Sequence, residues 1–191
     1  MGNEKNKRII FLDRDGVINH DSKDYIKNPS EFNFISGSPA AIRKLNENSF
    51  EVIVITNQSA VNRKMVTIAI IESIFSKMKS GIKDAGGIIK DIFYCPHIPE
   101  ENCNCRKPMP GMIHAARKKY NIDLESSYMI GDSVKDIECA KKAGCGMAIL
   151  VLTGNGIKSE KILIEKNILP DHVAENLLKA AEWIISQQEK R

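Results

Sequence analysis

What the chain lacks narrows it first. No apolar run approaches the ~20 residues that a membrane-spanning helix needs. No internal repeat or low-complexity segment is visible, so solenoid and tail-like architectures fall away. Neither sign of charge dominates: 28 Lys and Arg face 24 Asp and Glu, for a formal net charge of +4. The basic residues are scattered, and no block of them calls for nucleic acid or a membrane surface as partner. Cysteines are few and odd in number, five in all, and three fall within eleven residues. That crowding suits a metal site in a reducing compartment better than a disulfide framework. The polar start, Met1 to Arg8, leads straight into an apolar run and predicts no secretory leader. Asn6 stands where a myristoylation signal beginning at Gly2 wants Ser or Thr. The expectation is a cytoplasmic protein. No surface pattern demands a dimer, so a monomer is expected.

What is there is the composition of a globular chain: 42% hydrophobic and 27% charged over 191 residues, enough for a single domain spanning 1–191. Strand-like and helix-like runs alternate. Strands are expected at 9–12, 52–55, 88–94, 128–130 and 147–152, with a short one at 172–174. Helices are expected from Ser38 as cap and Pro39 as first helical residue, then from about 67 to 85, 111–120, 134–143, 159–167 and 176–187. The Ile and Met stripe of the second helix, and Trp183 in the last, read as packing residues. Alternation of this kind predicts an α/β fold: a doubly wound, Rossmann-like parallel sheet with helices on both faces.

The informative residues sit where strands stop. Ile9 to Leu12 ends in Asp13-Arg14-Asp15-Gly16, the second strand in Thr56-Asn57, and the fourth in Gly131-Asp132 with Asp136 four residues on. Lys107 follows shortly after the third strand. In an open parallel sheet, carboxyl ends share the edge where ligands bind. Asp-x-Asp-Gly alone also occurs in ordinary turns. Four such coincidences on one edge point to chemistry.

Asp13 with Asp15 and Asp132 with Asp136 would form an oxygen-rich, negatively charged pocket, which suits Mg²⁺ together with waters and a phosphate. Lys107 adds a positive point charge and Thr56 a hydroxyl donor. A carboxylate beside Mg²⁺ can attack phosphorus and divide one hard step into two. A second carboxylate two residues on can protonate the leaving oxygen and then take a proton from water.

A second cluster, Cys95-x-His97 and Cys103-x-Cys105, offers three thiolates and an imidazole across a gap of five residues. That is the ligand set of a closed tetrahedral zinc site. A structural Zn²⁺ there would order a loop with few apolar residues of its own and carry Arg106 and Lys107 to the pocket. Cys139 and Cys145 read as small buried side chains. His20, His114 and His172 have no evident partner.

The motifs Phe-Leu-Asp-Arg-Asp-Gly-Val-Ile-Asn, Thr-Asn-Gln, Lys107-Pro108 and Gly-Asp-x-x-x-Asp resemble, in order, those of the haloacid-dehalogenase-like phosphatases. The resemblance implies that Asp13 is the nucleophile and Asp15 the general acid and base. It implies that Thr56 and Lys107 bind the phosphoryl group. Asp13, the Asp15 carbonyl and Asp132 would hold Mg²⁺, with Asp136 as a further ligand, directly or through water. Asn19 and Asn57, inside the quoted motifs, join the expected substrate-binding set.

The zinc loop, Cys-Arg-Lys-Pro, the 24–32 and 37–39 segments and Leu-Val-Leu-Thr-Gly resemble a branch holding heptose-bisphosphate and histidinol phosphatases. It implies no large cap domain, and one connection and one helix indeed fill the gap between the first two motifs. The expected activity is removal of the 7-phosphate of a heptose bisphosphate, supplying activated heptose for lipopolysaccharide. Histidinol phosphate is the rival substrate, and a non-catalytic zinc-stabilised binding module the rival of another class. A second phosphate needs a cation, for which Arg63 and Arg106 are the candidates. One departure stands out. Where the branch usually has two glycines after Thr-Asn-Gln-Ser, this chain has Ala60 and Lys64, which resist backbone shapes that glycine permits.

Overall fold

A computed structural model describes residues 8–188, so the readings made on Met1 to Lys7 lie outside the described residues. Six strands form one sheet: β1 (Arg8–Leu12), β2 (Phe50–Asn57), β3 (Ile89–Cys95), β4 (Tyr128–Gly131), β5 (Met147–Val151) and β6 (His172–Ala174). Their spatial order is β3-β2-β1-β4-β5-β6, and every pairing is parallel. Six helices connect them: α1 (Ser38–Glu47), α2 (Ile68–Asp84), α3 (Gly111–Tyr120), α4 (Val134–Ala143), α5 (Gly156–Glu165) and α6 (Leu177–Gln188). This is the doubly wound sheet expected from the alternation of patterns.

Strand residues alternate between two cores, as the two-residue period of a strand requires. Ile10, Leu12, Val52, Val54, Ile130, Ile149 and Val151 meet buried residues of α1, α2 and α6 on one face. Ile9, Phe11, Ile53, Ile55, Met129, Ala148 and Leu150 meet those of α3, α4 and α5 on the other. Both faces are covered, which explains why these strands read as continuous apolar runs. The Ile and Met stripe of α2 is core: Ile71, Ile74, Met78 and Ile82 are fully buried.

Two of the boundaries that differ from the expected ones are informative. The cap of α1 is Gly37, at φ 83°, and Ser38 already lies inside the helix. The Ser38 hydroxyl is buried and donates to the Ile18 carbonyl at 2.6 Å, tying α1 to the chain after β1. Helix α5 starts at Gly156, three residues before its apolar pattern becomes legible. His172, for which no partner was evident, stacks on Trp183 with ring centroids 4.0 Å apart. No described helix is long and apolar enough to cross a membrane.

Order in the sheet puts β2, β1 and β4 side by side at its centre. Their carboxyl ends therefore deliver Thr56, Asp13 and Asp132 to adjacent points on one edge. The strand order reverses beside β1, so this is also the switch point where a crevice opens.

Candidate active site

The crevice at that edge has a volume of about 520 Å³ and is lined by Asp13, Arg14, Asp15, Thr56, Lys107 and Asp132, with further polar residues at its rim. Asp13 continues the β1 ladder, its amide donating to the Ile130 carbonyl at 3.0 Å. Gly16 then turns the chain at φ 80°, and any Cβ there would lie 2.1 Å from Asp132 Oδ2. Gly154, at φ 56°, approaches the same oxygen just as closely. Only glycine allows these two turns to close over the Asp132 carboxylate.

Lys107 joins the carboxylates. Its buried ammonium lies 2.8 Å from Asp13 Oδ1 and 2.6 Å from Asp136 Oδ1, and donates to the Ile55 carbonyl at 2.9 Å. The backbone of Lys107 is held in turn by Asn57, whose amide accepts from Lys107 N at 3.0 Å and donates to Lys107 O at 3.2 Å. A residue from β2 thus aligns the lysine brought by the loop after β3.

Asp136 divides its carboxylate between two tasks. Oδ2 accepts from the Ser133 amide at 3.0 Å and hydroxyl at 2.6 Å, closing a capping box on α4. Oδ1 is buried and pairs with the Lys107 ammonium at 2.6 Å. Asp13, Asp132 and Asp136 present oxygens within 4.8 Å of one another. Burial, the Asp136 charge and the Asp132 charge push the Asp13 carboxyl well above the ordinary range, and Lys107 offsets this in part. Burial and the Asp136 charge likewise push Asp132 up to about 7. Three crowded carboxylates suit a hard divalent cation. The donor set fits Mg²⁺.

Asp15 points to other partners. Arg14 donates to its Oδ1 from Nε at 3.1 Å and to both oxygens from Nη2 at 2.7 Å. Asn19 Nδ2 donates at 2.9 Å and Gln58 Nε2 at 3.0 Å. Burial works to raise the Asp15 pKa, while the Arg14 charge and these hydrogen bonds lower it overall. Gln58 Nε2 also donates to Thr56 Oγ1 at 2.9 Å, linking the Asp15 side of the pocket to the Thr56 hydroxyl.

The cysteine cluster closes as its spacing suggests. Cys95 Sγ lies 3.5 Å from His97 Nδ1 and from Cys103 Sγ; Cys105 Sγ lies 3.2 Å from His97 Nδ1, 3.2 Å from Cys95 and 3.4 Å from Cys103. A tetrahedral zinc with sulfur at ~2.3 Å needs ligand separations of ~3.5–3.8 Å, so these four groups can hold Zn²⁺ with little movement. Burial opposes ionisation of Cys103, but hydrogen bonds, Cys105 first and then the Arg106 amide, draw its thiol down to about 7. All five cysteines are free, including buried Cys139 and half-buried Cys145.

Other expected residues are placed less centrally. Arg106 donates to the His97 carbonyl at 3.0 Å and lines a neighbouring cleft of about 280 Å³ with Lys107, Met109 and Lys135. Lys135 borders both cavities. Arg63 is exposed in the turn after β2 and does not line the crevice. Asn19 is buried behind Asp15, not on the crevice wall. Lys64 adopts φ 59°, the left-handed shape that glycine would favour there, while Ala60 is buried and accepts from the Met65 amide. Three contributors carried no assigned role in the sequence: Arg14, Gln58 and Asn155. The Asn155 amide donates to Asp132 Oδ2 at 2.7 Å.

Comparison with known proteins agrees with this geometry. The HAD-hydrolase-like family model matches residues 104–180. A D-glycero-beta-D-manno-heptose-1,7-bisphosphate 7-phosphatase from Bordetella bronchiseptica is 38% identical, covering 94% of this chain and 99% of its own. A D-glycero-alpha-D-manno-heptose-1,7-bisphosphate 7-phosphatase from Photorhabdus laumondii is 35% identical over 84% of this chain and 92% of its own. The crystal structure of the B. bronchiseptica D,D-heptose 1,7-bisphosphate phosphatase, complexed with magnesium and phosphate, matches with a TM-score of 0.88 over 94% of this chain and 99% of that one.

Proposed function

The chain belongs to the heptose-1,7-bisphosphate 7-phosphatase family of HAD-like hydrolases, and from that premise we propose that it removes the 7-phosphate of D-glycero-D-manno-heptose 1,7-bisphosphate, through an aspartyl phosphate on Asp13. The observation that carries this reading is the convergence of Asp13, Asp132, Asp136 and buried Lys107 at the end of β1, with Thr56 on the same crevice wall. A binding module has no use for a nucleophile, a buried ammonium and an adjacent carboxylate arranged in this way.

Asp13 attacks phosphorus, and the ester P–O bond breaks. Asp15 gives a proton to the leaving oxygen, then takes one from the water that attacks the acyl phosphate. Inorganic phosphate leaves and Asp13 is restored. Lys107 and the Thr56 hydroxyl hold the phosphoryl oxygens. Asp13, Asp132, Asp136 and the Asp15 carbonyl would hold Mg²⁺, which would further neutralise the transferring group. Cys95, His97, Cys103 and Cys105 would hold a structural Zn²⁺. Arg106 faces the cleft beside the crevice and receives the phosphate that stays; Arg63, out on the exposed turn, is the weaker candidate. The product would supply activated heptose for lipopolysaccharide.

The β anomer is the preferred form on the names of the nearer relatives. Phosphate release should be measured in parallel on both anomers of heptose bisphosphate, on fructose bisphosphate and on histidinol phosphate. A preference of at least tenfold for the heptose is expected. Comparable rates on all four would overturn the substrate assignment.

A further inference from the structure

Arg14 is the largest fully buried side chain among the described residues, with 1% of its surface exposed. A guanidinium is rarely buried unless it is fully paired. This one is not: Nη1 is buried and has no hydrogen-bond partner. Its remaining donors go to a single group, the Asp15 carboxylate, which takes them in a fork. The other side of the guanidinium faces Phe75 of α2, with Cζ 5.8 Å from the ring centroid. An ion pair kept for stability would not leave a buried donor orphaned, because an unsatisfied buried donor is destabilising. The arrangement makes sense if what matters is where Asp15 points. Asp15 keeps 21% of its side chain open, in the wall of the crevice, while Arg14 on one side and Gln58 and Asn19 on the other fix its rotation.

We propose that Arg14 is a positioning residue, packed between Phe75 and Asp15, that aims the Asp15 carboxyl at the leaving oxygen of the substrate. The inference rests on the phosphatase reading above. Arg14 touches no reacting atom; it acts through Asp15. The proton it helps to direct moves from Asp15 to the ester oxygen as the P–O bond breaks.

The test compares two esters in kcat/KM, which covers the steps through departure of the alcohol. An alkyl phosphate such as heptose bisphosphate needs a proton on its leaving oxygen; para-nitrophenyl phosphate, with a stable phenolate, does not. Arg14→Met should lower kcat/KM on the alkyl ester by ~100-fold, the lower end of what a positioned acid contributes. On the aryl ester the loss should be no more than a few-fold. Arg14→Lys, which keeps the charge but not the fork, should fall between wild type and Arg14→Met with the same bias. Thermal melts verify folding, and if Arg14→Met does not fold, the ratio measured for Arg14→Lys decides. Equal loss on both esters, or no loss on either, would overturn the positioning role. Failure of the phosphatase reading looks different: wild type would then release phosphate from neither ester.

Discussion

The two halves of this crevice are built on opposite principles. One half is the end of a sheet. Asp13, Thr56 and Asp132 extend strands whose preceding residues are fully buried on both faces, so their positions are set by packing. The other half is the loop from Cys95 to Lys107, which lies between β3 and α3 and contains only a short 3-10 turn at Pro99–Glu101. It brings four ligand atoms together in a set that suits a metal. Strand ends fixed by packing hold the proposed reacting groups, and a loop whose four ligand atoms suit a metal holds the proposed recognition groups. Lys107 spans the division. The loop brings it, and Asn57 of β2 fixes it.

Mutations should separate the halves. Asp13→Asn has the largest expected effect on turnover, a loss of at least ~10⁴-fold. Stability should hold or rise, since a crowded carboxylate is removed; this is checked by phosphate release and a thermal melt on one preparation. Lys107→Met should strike both properties because the residue belongs to both halves. Turnover should drop ~10²–10³-fold, and the protein should lose about 3 kcal/mol in denaturant titrations, because three buried carboxylates lose their counter-charge. Cys105→Ser should act in the opposite sense to Asp13→Asn. Zinc affinity should fall by more than ~10–100-fold, the range seen when only an outer partner is lost. Melting temperature should fall and KM rise, as read by metal analysis and initial rates. A Cys105→Ser protein with unchanged KM and melting temperature would contradict the division.

A smaller effect concerns Mg²⁺ and pH. Asp132 is raised to about 7 by burial and by Asp136. A carboxyl raised above its unfolded value stabilises the fold at low pH relative to high pH, and that contribution is lost as pH rises toward 7. Added Mg²⁺ relieves the repulsion that remains, so the rise in melting temperature on adding Mg²⁺ should be larger at pH 8 than at pH 6. The smallest expected effect belongs to Lys64→Gly. It removes a left-handed strain of about 1 kcal/mol and should stabilise the protein by no more than that, with little change in kcat.

Much of this was legible in the sequence because strand ends and ligand spacing are local properties. A run of Ile and Val that stops at Asp or Thr announces both the strand and the edge it delivers to. Cys-x-His and Cys-x-Cys announce a shared ion. Arg14 was not legible: a charged residue between two aspartates reads as solvent-facing, and only the position of α2 supplies the Phe75 face that buries it. Gln58 and Asn155 act across gaps of 43 and 23 residues, with no periodic trace. Ser38 misled because its hydroxyl satisfies a tertiary partner and leaves the cap to Gly37. Lys64 stands where glycine was expected, and it takes the left-handed shape that glycine favours, at φ 59°.

The central claim is that the end of β1 supplies the nucleophile. Acid-quenching the enzyme during turnover of heptose bisphosphate with Mg²⁺, followed by mass spectrometry of the peptide containing residues 9–19, tests it most directly. The account predicts phosphate on Asp13 in wild type and none in Asp13→Asn. Continued turnover with no label there, or a label on another residue, would contradict it.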